Sequence, residues 1–103
     1  MSEQKESQRA VQIVARRFLK TSGLPGYNAD PDVSRAKALQ LMRIGYSQGD
    51  EVHKEAAASL VAVQFGVLTG DGNPDTKSVR LWYEWVLERE KLQARAQARS
   101  RGV

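Results

Sequence analysis

The stretch 56-AAASLVAVQFGVL-68 decides how this chain folds, and only Ser59, Gln64 and Gly66 interrupt its apolar residues. Val61, Val63, Phe65 and Val67 alternate with Ala62, Gln64 and Gly66, the period of a half-buried strand. Its flanks favour a helix instead. Three alanines lead into it, and alanine is the strongest helix former. Asp50, Glu51 and Glu55 put negative charge at the positive end of a helix dipole. Gly49 closes the preceding segment, and Asp50 is a good N-cap. The segment 51–68 therefore reads as a helix. Being apolar on nearly every side, it is expected to be the central, most buried element. Ala58, Ala62 and Gly66 recur every fourth residue, a stripe that lets a second helix come close.

Working outward, residues 31–47 open with Asp30-Pro31, a cap followed by proline at the first helical position, where its missing N–H costs nothing. Leu39, Met42 and Tyr46 share one side of this helix, and Val33, Leu41 and Ile44 the other. Apolar residues on two sides predict a helix wedged between neighbours. Gly45 is expected to loosen its last turn. With the tight turn at Ser47–Gly49, this helix and the next form an antiparallel hairpin.

The first helix is predicted over 5–22, ended by Gly23 and Pro25. Val11, Val14, Ala15, Phe18 and Leu19 make its apolar arc, while Lys5, Arg9, Arg16 and Lys20 line the opposite face with Ile13 exposed among them. A last helix over 74–98 opens with Asn73-Pro74-Asp75. It carries Val79, Leu81, Trp82, Tyr83, Trp85, Val86 and Leu92 on an arc about 200° wide. Arg89 breaks that arc, and QARAQARSRGV (93–103) offers nothing to anchor a core. The chain thus reads as an all-α bundle of about four helices, with residues 1–92 as the domain. Residues 93–103 form a basic extension that is expected to fray when unbound.

Composition bounds the function. The 103 residues suit one domain. The absence of cysteine excludes a disulfide framework and thiolate chemistry. The central stretch, about 20 Å long as a helix, falls short of the roughly 30 Å of a bilayer core. The polar start MSEQKESQR lacks a signal-peptide core. The expectation is a cytoplasmic protein with no membrane partner. The net charge of +4 is uneven: 1–22 sum to +3, 23–50 to zero, 51–76 to −3 and 77–103 to +4.

The chemical motifs fail on inspection. Asp71, Asn73 and Asp75 start an EF-hand pattern, but Thr76 and Trp82 stand where glycine and a bidentate glutamate are needed. Thr76-Lys77-Ser78 mimics the end of a P-loop, but Asp71 and Thr76 occupy both required glycine positions. His53 is the only histidine and has no nucleophile to serve. Glu84 and Glu88 sit among cations at helical spacing and read as surface ion-pair partners. No catalytic residue, metal or cofactor is expected.

What remains is surface. The leading expectation is a non-enzymatic interaction protein, an adaptor or assembly subunit that binds another protein and self-associates. Its candidate interface is Ala58, Ala62, Gly66, Trp85 and Ile13. The alternative is a nucleic-acid-associated protein, with Lys91, Arg95, Arg99, Arg101, Lys5, Arg9, Arg16 and Lys20 on phosphates. An enzyme with an unrecognised site comes last.

Overall fold

A computed structural model describes residues 2–19 and 30–101, with side chains described over 5–18 and 30–98. Four helices follow one another: α1 (Ser2–Leu19), α2 (Pro31–Ser47), α3 (Glu51–Phe65) and α4 (Thr76–Arg101). The expected all-α bundle is what forms. The predicted loop 23–30 and its Tyr27 lie, up to Ala29, outside the described residues.

Local chemistry sets the helix ends. Asp30 accepts from the Asp32 N–H at 2.9 Å ahead of Pro31. Asp50 accepts from the His53 N–H at 2.9 Å and so caps α3. Both caps fall where the sequence places them. The end of α3 does not. Gly66 adopts the left-handed conformation, φ 69°, which costs glycine nothing sterically. The Val67 N–H then closes the turn onto the Ala62 carbonyl at 2.8 Å. The helix therefore stops at Phe65, not at 68. Residues 67–75 turn back on themselves: Thr69 N–H donates to the Asn73 carbonyl and Asp75 N–H to the Val67 carbonyl, both at 2.8 Å. Leu68 and Pro74 form an isolated antiparallel bridge. Asp75, rather than Asn73, caps α4 by accepting from the Ser78 N–H (3.1 Å) and hydroxyl (2.7 Å). The EF-hand-like aspartates are thus turn and cap.

The core is one cluster drawn from all four helices: Val14 and Phe18 from α1, Ala38 and Met42 from α2, Ala58, Val61, Ala62 and Phe65 from α3, and Val79, Trp82, Tyr83 and Val86 from α4, with Val67 from the loop. Phe18 meets Phe65 and Trp82 edge-on, centroids 5.3 and 5.6 Å apart, the favoured geometry for aromatic pairs. Tyr46 meets Tyr83 likewise at 4.8 Å. The main pairings are α1 with α4, α2 with α3, and α3 with α4. This arrangement buries Val79, Trp82, Tyr83 and Val86 of the wide α4 arc, half-buries Leu81 and Trp85, and leaves Leu92 exposed. On α1 the buried line is Ala10, Val14 and Phe18, with Ile13 half-buried against it and Ala15 in solvent. The apolar arc is therefore turned toward Ile13 from the one expected.

Gly45 has a different job from the predicted loosening. It is buried, and a Cβ there would collide with the Ala57 side chain and stand 2.9 Å from the His53 carbonyl oxygen. Glycine at this position is what lets α2 and α3 touch backbone to backbone.

Candidate interaction surfaces

The small-residue stripe belongs to the interior. Ala58 and Ala62 are fully buried in the core, and Gly66 is a buried helix cap. They serve contacts within this chain, which corrects their reading as an outward interface. Ile13 is likewise half-buried on the core. Trp85 is half-buried too, and the Arg89 guanidinium lies 4.4 Å from its ring centroid. The arginine that interrupts the apolar arc thus caps the indole by a cation–π contact one turn away.

The helix expected to be most enclosed is open on one side. Val52 is 75 % exposed, Leu60 45 % and Val63 51 %, with Ala56 also exposed. At 100° per residue, these four share one arc of α3, opposite the buried Ala58, Val61 and Phe65. On α2, Val33 and Ile44 (57 % exposed) are bare as well, with Leu41 half-buried beside them. The wedge expected for α2 has only one wall. Apolarity on all sides does reflect two packing faces, but a single chain fills only one of them.

The α3–α4 seam carries the main polar cluster. Arg80 donates to Glu51 at 2.8 Å and to Glu55 at 3.0 Å. Hydrogen bonding from Thr76, then from Arg80, holds the Glu55 carboxyl below its ordinary range. Neighbouring Tyr46 and the two glutamates hold the guanidinium well above its usual value. Burial raises the Tyr46 phenol, and Arg80 pulls it partly back. Its hydroxyl is buried without a well-formed hydrogen bond, and Lys54 lies 5.2 Å over its ring. These contacts clamp helices together and assemble no nucleophile with a base. His53 pairs with the capping Asp50, whose carboxyl is held low by the His53 backbone N–H and then by its imidazole. No cluster of three or more histidine and acidic residues suited to a metal occurs among the described residues.

The basic positions do not merge into one track. Lys5, Arg9 and Arg16 are exposed on α1, and Lys91 and Arg95 on α4. Lys20 lies outside the described residues, as do the side chains of Arg99 and Arg101. Between the two basic groups, the α1–α4 groove is lined by Glu6, Glu84 and Glu88 around Leu81 and Trp85. Glu6 also reaches Lys77 at 3.9 Å. A phosphate backbone running from α1 to the α4 end would cross these carboxylates.

Among the described residues, no helix is long and apolar enough to cross a membrane. No family model matches the chain, and neither a curated protein nor a solved structure matches it significantly.

Proposed function

We propose that this protein is a non-enzymatic helical interaction module, a subunit or adaptor that docks through the outer side of the α2–α3 hairpin. The observation that supports this reading is the exposure of Ile44, Val52, Leu60 and Val63 together on that side. Contiguous apolar surface of this kind marks contact sites in water-exposed proteins. The test is capture of bound proteins from native lysate, with and without nuclease, by the intact chain and by a Val52→Glu, Leu60→Glu variant. The reading requires the variant to keep its helical content and melting temperature while losing what the intact chain captures. Equal capture by both would refute it.

A second reading rests on a separate observation, the exposed Lys91 and Arg95 on the free end of α4. It makes the chain nucleic-acid-associated, with no base-reading element and hence low specificity. Affinity for a labelled duplex should then fall steeply with salt, and Lys91→Ala, Arg95→Ala should flatten that slope.

A further inference from the structure

Beyond the α2–α3 face, we infer that Glu84, Glu88, Lys91 and Arg95 form a self-association surface on α4, and that its occupant is a second copy of this chain whose α4 runs antiparallel across a two-fold axis.

Sequence spacing builds the surface. At 100° per residue, these four side chains leave α4 within about 60° of one another, opposite the buried Val79, Trp82 and Val86. All four are exposed. None forms a salt bridge or a side-chain hydrogen bond with another described residue. The α4 cations that precede Lys91 have other partners: Lys77 reaches Glu6, Arg80 holds Glu51 and Glu55, and Arg89 covers the Trp85 ring. On α1, Glu6 shares a groove with Glu84 and Glu88, while Arg9 lines the stretch beside Asp75 and Lys77. Glu84 precedes Glu88 by four residues, as Lys91 precedes Arg95, and like charges at that spacing repel. The stripe is therefore an acidic half followed by a basic half. Apolar surface follows its α1 edge, where Leu81 and Trp85 are half-buried in the groove and Leu92 is 54 % exposed.

A stripe that carries its own complement fits a second copy run the opposite way. With the two-fold axis at the level between Arg89 and Glu90, Glu84 of each copy meets Arg95 of the other, and Glu88 meets Lys91. Each tail, residues 91–101, then lies along residues 78–88 of the other copy, and the two bundles sit at opposite ends without colliding. A two-fold axis in this direction keeps the apolar edges of both helices on one side. Leu92 of each copy comes level with the other's Trp85 to within one helical turn. Run parallel, Glu84 would oppose Glu84 and Arg95 would oppose Arg95. Charge selects the antiparallel pair, and a self-complementary patch is what an isologous contact requires. The overlap is short and its ion pairs are exposed, which places it among small, weak interfaces. The dimer should form at roughly 100 µM, and the chain is a monomer in dilute thermal melts.

The test combines mass with a distance. Sedimentation equilibrium from about 10 µM to about 1 mM should show the mass rising from 11.5 kDa toward twice that value, and added salt should suppress the rise. Lys91→Glu with Arg95→Glu, and separately Glu84→Lys with Glu88→Lys, should each keep the helical content and weaken association at least about tenfold. Mixing the two charge-reversed chains should restore it. The chain has no cysteine of its own, so a spin label on an Ala98→Cys variant reports direction. Across antiparallel helices the two labels stand about 25 Å apart along the axis, and across parallel ones only about 10 Å apart. A single-chain mass at the highest concentration, association indifferent to either charge reversal, or the shorter label distance would each overturn the inference. A chain that stays monomeric while Lys91→Glu with Arg95→Glu abolishes its binding to a labelled duplex would assign the basic half to phosphate, and would overturn it too. Capture of proteins through Val52 and Leu60 does not depend on these variants, so the interaction-module reading and this one can fail separately.

Discussion

The two sides of the α2–α3 hairpin are built from the same residue types and meet opposite fates. On the inner side Met42, Val61, Ala62 and Phe65 are sealed from solvent; on the outer side Ile44, Val52, Leu60 and Val63 stand about half exposed or more. Composition alone cannot separate them. What separates them is the supply of partners, since α1 and α4 come from the same chain and cover one side only. A helix that is apolar all round thus states how much surface it must bury, and leaves open whether its own chain supplies all the cover.

Adjacent residues give the sharpest way to break this contrast. Ala62 is fully buried, while Val63 faces outward. Ala62→Glu should unfold the domain, because an unpaired carboxylate in the core costs several kcal/mol. Val63→Glu should leave the melting temperature of the monomer nearly unchanged, within about 0.5 kcal/mol. Thermal melts of the two variants decide it. Equal destabilisation would mean that the outer side is closed within a single chain.

Gly45 gives the next largest effect. Gly45→Ala forces a Cβ into Ala57 and the His53 backbone, and overpacking of this kind costs about 1–3 kcal/mol. The surrounding helix would otherwise gain up to about 1 kcal/mol from the same change. Denaturant melts should therefore show net destabilisation, and a stabilised variant would place the helices farther apart than described.

These two sites also show how far the sequence could be read. Helix type, order and two of the N-caps follow from local chemistry: Asp30 with Pro31, and Asp50 before an alanine-rich run. The buried line on α1 and the core aromatics Phe18, Phe65 and Trp82 follow from periodicity to within a residue or so. The end of α3 was in principle legible, since Gly66 is the one glycine of the central stretch and glycine favours the left-handed cap. The apolar Phe65, Val67 and Leu68 around it pull the reading onward to Leu68. Other features were not legible. Gly45 looks like a helix weakness until its neighbour across the hairpin is known. The outer face reads as core because periodicity cannot count the helices available to cover it. Arg89 reads as a break in the arc, and only its position over the Trp85 ring makes it part of the packing.

Acid tests the contrast through the caps and clamps instead of the core. Asp50 and Glu55 are both held below their ordinary values, by His53 and by Thr76 with Arg80 respectively. A carboxyl with a depressed folded pKa contributes stability above its unfolded pKa, and that contribution disappears as pH falls through the folded value. The melting temperature should therefore hold from neutral pH to about 5, then fall through and below the ordinary carboxylate range near 4. Asp50→Asn keeps a capping side chain but removes the charge. It should flatten part of that fall, and an unchanged profile would exclude Asp50 as a contributor.

The smallest effect is expected at the free end of α4. α4 is helical through Arg101, a little past the expected end at 98, although residues 91–98 are exposed and Leu92 is 54 % exposed. Alanine, glutamine and arginine favour the helix locally, and continuation from a packed helix avoids the cost of nucleation. Among the described residues, no hydrophobic side chain beyond Leu87 belongs to the core cluster or packs against it. Deleting residues 93–103 should therefore shift stability by less than about 0.5 kcal/mol. Circular dichroism should lose only the signal of the removed turns. If the truncated chain instead melts at a clearly lower temperature, the α4 end takes part in holding the bundle together.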